Sequence, residues 1–237
     1  MISDIMKLVG KFVNVFKKPL YGKTFKCPIC HLELSEHDTD ENGCLVCPLC
    51  SVVIELHETY GHFLPIVNDV EVERVQPKAK LHPLATHLPI GLMPFALLGA
   101  VFLLLASIYL KIADIPVSQS IFLSAYSQTI NNVTLIMLVI AVCSSALTFL
   151  TGFVDWRYRF SGRSYRVITL KIILSILFLI IGAVAIALHF VVFNSGIIAL
   201  DNFLNIIAAI FYFGFMSAAM FMLATLGHVG GYLVFGK

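Results

Sequence analysis

Two cysteine pairs, Cys27-Pro-Ile-Cys30 and Cys47-Pro-Leu-Cys50, are the residues of this 237-residue chain best placed by type and spacing to do chemistry. They are near copies, and sixteen residues separate Cys30 from Cys47. Two thiolates on one tight turn point the same way, and two such turns facing each other close a tetrahedron around a single metal ion. Paired cysteines at this separation are a specific signal for that use. The surrounding polar module is too short to bury much core, so the ion would supply much of its folding energy. A chance grouping of thiols is the plainer alternative. Cys44 is the spare: it lacks the proline of the two knuckles, falls on the strand expected to lead into Cys47, and either replaces a ligand or stays a free thiol. His31, His37, His57 and His62 read as exposed polar residues, because four thiolates already close the site.

Histidines make a second constellation. His82 and His87 open the first long apolar run, in "LHPLATHLPIGLMPF", and His228 closes the last. Ionisable residues inside spans are candidates for function. A b-type haem in a helical bundle takes two imidazoles at one depth from facing helices. His228 with His87 satisfies that, with His82 as the other choice. His82 and His87 are about 140° apart around an ideal helix, so both cannot address one iron. His87, about a turn deeper, is the preferred partner. His82 would then cap its helix or meet a propionate. Asp155 can hold the far nitrogen of a ligating histidine, and Arg157, Arg159 and Arg163 can pair with propionates. Gly91, Gly227, Gly230 and Gly231 leave room for a flat macrocycle. The plainer alternatives are a buried polar network tying helices together, or a non-haem metal site. Glycines in spans also mark close helix packing. His189 reads as an interhelical hydrogen bond, and Cys143, beside Ser144 and Ser145, as a small packing residue.

The elements that must position these residues follow from composition. Hydrophobic residues make up 59% of the chain and charged ones only 13%, far from the balance of a soluble domain. Four apolar runs, roughly 83–110, 130–153, 167–193 and 203–228, the last with an apolar tail to Phe235, each reach the length of about 20 residues that crosses a bilayer core. Backbone polar groups in lipid must be satisfied internally, so these runs are helices. Pro89 and Pro94 should free the carbonyls of Ala85 and Ile90 and bend the first span. The fold class is therefore mainly α: a four-helix transmembrane bundle over residues 81–237, preceded by a small four-cysteine β module over residues 19–76. Residues 1–18 place Ile2, Ile5, Met6, Val9, Phe12, Val13 and Phe16 at helical spacing, with Lys7 and Lys11 elsewhere. That pattern predicts an amphipathic helix lying on an anionic membrane surface or on a partner subunit. Those lysines also break any apolar core of a cleavable signal peptide.

Charge sets the orientation. The loop "DWRYRFSGRSYR" brings Arg157, Arg159, Arg163 and Arg166 to the side that carries the cysteine module, whereas the opposite loops hold Lys111 alone. Positive loops stay cytoplasmic, so both termini and the module are expected in the cytoplasm. Thiols are kept reduced there, which favours metal over disulfides. The net charge of +2 gives no reason to invoke nucleic acid.

Resemblances carry further expectations. The module resembles short zinc ribbons in which a strand and a Tyr-Pro-Ile-x-Asp-Gly type turn follow the second pair. Here Leu64-Pro65-Ile66-Val67-Asn68-Asp69 stands in that place without the glycine. The knuckles also resemble those of rubredoxin, which holds one iron. Rubredoxin usually has a glycine after each pair and a wider gap, where this chain has His31 and Ser51 and a narrower one. Zinc is therefore favoured over redox iron, although four thiolates suit both. Residues 80–236 resemble an uncharacterised family of four-span bacterial membrane proteins. The motifs are His82-Pro83, His87, Pro89 and Ile90; then Thr151-Gly152 with Asp155-Trp156; then His228, Gly230, Gly231, Leu233 and Val234. That resemblance implies the topology and a bacterial cytoplasmic membrane, and no chemistry.

Two functions remain open. In the first, the chain is a membrane electron-transfer protein, the cytochrome subunit of an oxidoreductase. One haem b near the cytoplasmic face exchanges electrons with a quinone or redox partner, and the cysteine module docks or relays. In the second it is a non-catalytic accessory or assembly subunit of a larger membrane complex, with a structural zinc ribbon. A transporter is a weaker third, since the spans carry few charges and no pair of unwound helices.

Overall fold

The computed structural model describes residues 22–71, 81–114, 121–160, 162, 165–193, 196–200 and 202–235. The expected amphipathic helix of residues 1–18 lies outside them, as does Arg163.

The N-terminal module is built from two copies of one unit. Strand β1 (Thr24–Lys26) runs into the first cysteine turn and returns as β2 (Glu33–Ser35), with Phe25 opposite Leu34. Strand β3 (Cys44–Val46) runs into the second turn and returns as β4 (Val52–Thr59), with Leu45 opposite Ile54. Phe25, Leu34, Leu45 and Ile54 are buried together with Leu32, Cys27 and Cys47, so the period-2 alternation of each strand turns one side chain inward at the same place in both copies. Strand β5 (His62–Glu71) extends the second sheet after a tight hairpin in which Tyr60 and Gly61 take left-handed φ values of 52° and 77°. The two sheets are separate, one of two strands and one of three. The Lys23 ammonium, 2.6 Å from a Glu58 carboxylate oxygen, ties the start of β1 to β4.

Four helices follow: α1 (Leu81–Ile112), α2 (Ile121–Arg159), α3 (Arg166–Val192) and α4 (Phe203–Phe235). Each contains a stretch long and apolar enough to cross a membrane, and together they form a bundle. The inward face repeats at helical spacing: Met93, Ala96, Ala100 and Leu103 on α1, and Tyr212, Met216, Ala219 and Leu223 on α4, all buried. Small residues let backbones approach, the usual basis of packing in lipid. A Cβ on Gly182 would stand 2.6 Å from Val142 Cγ2, and one on Gly99 would collide with the Thr134 hydroxyl. Large apolar side chains such as Leu98, Leu105 and Phe221 are exposed on the outer face, as lipid contact requires.

Two expectations need correction. Helix α2 starts at Ile121 rather than near residue 130. Polar residues gather in its second and third turns, yet Asn131 Nδ2 donates to the Phe193 carbonyl at 3.4 Å and Gln128 Nε2 to Asn132 Oδ1 at 3.3 Å, which makes helix tolerable there. Cys143 is exposed on its helix, not packed between neighbours.

Candidate metal centre

Each cysteine turn is held by two backbone bonds in the same pattern. Cys27 N–H donates to Leu32 O and His31 N–H to Cys27 O, both at 2.9 Å. Cys47 N–H donates to Val52 O at 2.9 Å and Ser51 N–H to Cys47 O at 3.0 Å. The residue after each pair must turn left-handed, and His31 and Ser51 do so at φ 57° and 65°. Glycine is the cheaper residue at such a position.

The two turns face each other. Cys27 Sγ lies 3.6 Å from Cys50 Sγ, and Cys30 Sγ lies 3.5 Å from Cys47 Sγ. All four sulfurs fall within 4.8 Å of one another. A tetrahedron with metal–sulfur bonds of about 2.3 Å has edges of about 3.8 Å. These distances fit one mononuclear ion and are far too long for disulfides. Cys27 and Cys47 are fully buried, while Cys30 and Cys50 are partly open to solvent.

The electrostatics call for a cation. Burial pushes the Cys30 thiol up to about 11 and drives Cys47 upward as well. Burial also acts to raise Cys27, but the N–H groups of Cys30 and Ile29 and the thiols of Cys30 and Cys50 outweigh it and draw Cys27 below its ordinary range. Four thiols so close cannot all ionise alone, because each new negative charge opposes the next. A divalent ion removes that conflict, so the donor set fits zinc or iron. Cys44 stands outside the cluster on β3, opposite Glu55.

The module also touches the start of one membrane helix, α3. Tyr165 Oη donates to the Val46 carbonyl at 2.8 Å. The Arg166 N–H donates to Asp38 Oδ1 at 2.9 Å, and Arg166 Nη1 lies 3.3 Å from Glu33 Oε1. Tyr165 is buried with Trp156 and Ile168. Asp38, Tyr165 and Arg166 were invisible as a set, because 128 residues separate the carboxylate from its partner.

The histidines divide into tied and open ones. His82 lies in the first turn of α1, where its Nδ1 is 3.1 Å from the Thr148 carbonyl of α2. It therefore joins two helices, as a structural polar residue does. His189 is 1% exposed and its Nδ1 lies 3.0 Å from Tyr212 Oη, the interhelical bond expected of it. His87 and His228 are exposed and make no hydrogen bond among the described residues. Asp155 is half-buried, Arg157 is exposed, and Arg159 ends α2. A Cβ at Gly91 or Gly231 would meet nothing within 4 Å, whereas one at Gly227 would lie 3.5 Å from Ile90 Cδ1.

Comparison of the chain with protein-family models, with curated proteins and with solved structures gives no match. The four-span family resemblance therefore rests on its three motifs alone. The class defined by fold and site is an integral membrane protein with four spanning helices and a β module whose four clustered cysteines can hold one metal ion.

Proposed function

We propose that the protein is a non-catalytic subunit of a larger assembly in a bacterial cytoplasmic membrane, with a structural zinc ribbon as its contact element on the cytoplasmic side. The observation that carries this reading is how the module is held. One part of it is fastened to the start of α3 through Tyr165 and Arg166. Its β4–β5 hairpin carries Tyr60, 98% exposed at the tip, with Leu64 and Ile66 exposed beside it. Exposed apolar groups on a rigid metal-stapled hairpin suit a protein contact. The cytoplasmic placement rests on the arginines around the α2–α3 connection, Arg157 and Arg159 at the end of α2, Arg163, and Arg166 at the start of α3.

A second reading, electron transfer through one haem b, is favoured by a separate observation. His87 and His228 are imidazoles on membrane helices, exposed and without a hydrogen bond among the described residues. Ligating histidines would look like this before the group is added. In that reading His87 and His228 hold the iron, Asp155 orients one of them, and Arg157 and Arg159 meet the propionates. Haem would supply one-electron chemistry between a quinone and a redox partner, with the cysteine module as docking element or, if it holds iron, as a relay.

One experiment separates the two. Purified protein is examined by absorbance, oxidised and then dithionite-reduced, with metal analysis of the same sample. One zinc per chain and a featureless visible spectrum, also after addition of haem, is the result expected of the structural subunit. A sharpened reduced α-band, lost in His228→Ala, would replace that reading with the cytochrome.

A further inference from the structure

The first N–H groups of an α-helix have no acceptor within the helix and need one from outside. A local Ser, Thr, Asp or Asn usually supplies it. In α3 the first helical residue is Arg166, and the residue before it is Tyr165, which is no capping type. The acceptor comes instead from the cysteine module: Asp38 Oδ1, 2.9 Å from the Arg166 nitrogen. The same carboxylate accepts from the Ser35 N–H through Oδ2 at 2.8 Å, closing a capping box around the single 3-10 turn Glu36–Asp38. Asp38 is 7% exposed, so neither bond is readily replaced by water. A carboxylate at a helix N-terminus also meets the favourable end of the helix dipole.

The second attachment comes from the other half of the module. Cys47 turns its own N–H toward Val52 on β4, so Val46, one residue earlier, turns its carbonyl to the free edge of β3. Tyr165 Oη takes that carbonyl at 2.8 Å. Asp38 and Glu33 thus follow the first cysteine pair, and Val46 precedes the second. The two halves belong to separate sheets that share one small apolar core and the Lys23–Glu58 ion pair, and the four-cysteine site joins them at their cysteine turns.

We propose that metal loading of the four cysteines clamps the start of α3, with Asp38 capping a membrane helix from outside it and Val46 holding Tyr165, so that metal loss releases both. This rests on the reading of the four cysteines as a metal site. The ion fixes the spacing between the halves, and the two attachments need that spacing together. Metal state at the module is therefore transmitted to the α2–α3 connection. The molecule carries its own reporter, since Trp156 is the one tryptophan of the chain and is buried against Tyr165 and Ile168.

The test uses the full chain in detergent, as purified, stripped with a chelator under reducing conditions, and reloaded with zinc. Two quantities are read: Trp156 emission, and amide exchange in peptides covering residues 165–169. Stripping should speed exchange in those peptides about tenfold, the loss of one capping interaction, and shift Trp156 emission to the red. Zinc should reverse both. Unchanged exchange and emission, with amides of residues 27–34 exchanging faster, would overturn the clamp while leaving the metal site intact. A chain that neither carries nor takes up metal would remove the metal reading itself. Should stripping unfold the whole chain, Tyr165→Phe in the loaded protein decides. It deletes only the hydroxyl, so metal content should hold while both readouts move toward the stripped values. Tyr165→Phe indistinguishable from the parent would refute the proposal.

Discussion

Replacing Thr148 by valine keeps the shape of the side chain and removes one hydroxyl. Its cost can be worked out from a proline on another helix. Pro89 sits inside α1 and has no N–H to give the Ala85 carbonyl. In lipid no water replaces it. Thr148 Oγ1, on α2, lies 2.9 Å from Ala85 O and also 2.9 Å from its own helix's Ser144 O. One proton serves one acceptor at a time. Ser144 O is already within reach of a backbone N–H one turn on, so Ala85 O is the acceptor that needs it. Hydrogen bonds between helices in membranes average about 0.6 and reach about 1.7 kcal/mol. An orphaned carbonyl puts Thr148→Val near the upper end, about 1–1.5 kcal/mol, or roughly tenfold in the unfolding constant. Pro89→Ala restores a backbone donor to Ala85, so in that background Thr148→Val should cost about 0.3 kcal/mol or less. The assay is unfolding of the parent, both single variants and the double variant by titration with a denaturing detergent. Thr148→Val costing the same in both backgrounds would refute the argument that the hydroxyl answers the proline.

Further outcomes concern the cysteine module. Cys47→Ser should abolish stoichiometric metal, while Cys44→Ser should leave one ion per chain, as read by metal analysis of purified protein; loss of metal in Cys44→Ser would place that thiol among the ligands. Ser51 holds a left-handed φ of 65°, so Ser51→Gly should stabilise the module by about 0.5 kcal/mol once the extra chain entropy of glycine is subtracted, whereas Ser51→Val should destabilise it. Thermal unfolding of the metal-loaded protein, followed by metal release, reads both.

Much of this arrangement is legible in the amino-acid order, for definite reasons. Hydropathy reveals spans because lipid admits only long apolar helices, and the runs near 83–110, 167–193 and 203–228 match α1, α3 and α4 apart from a few terminal residues, with the apolar tail to Phe235 continuing α4. The cysteine turns are legible because metal geometry demands that spacing. Even the freed Ala85 carbonyl follows from Pro89. What answers that carbonyl does not follow, because Thr148 is distant in sequence and a threonine in a span has many uses. Asp38 is hidden for the same reason: within its own segment it completes a local capping box, and nothing there announces a second bond to α3. The early start of α2 is missed because Gln128, Asn131 and Asn132 lower hydropathy, while their hydrogen bonds depend on neighbours that no local window contains.

Polar groups inside the bundle are costly unless partnered, and this gives a way to rank them. Between α1 and α2 the His82 ring meets the Thr148 carbonyl and the Thr148 hydroxyl donates to the Ala85 carbonyl, and between α3 and α4 His189 meets Tyr212. Such residues are accounted for by the packing they secure, and their replacement should show first in stability. Two atoms of the buried set, His189 Nε2 and Asn131 Oδ1, have no partner among the described residues. Each is enclosed, so an ordered water is the smallest group that would answer it. His87 and His228 differ in kind: each is open and makes no such bond. If they only met the headgroup layer, exchange for another polar residue would be nearly silent. If they hold a ligand, glutamine at either position should remove it without lowering the unfolding midpoint of the ligand-free protein. The comparison of His82→Gln with His87→Gln therefore separates structural from ligand-binding histidines: the first should cost stability, and the second should cost only what is bound.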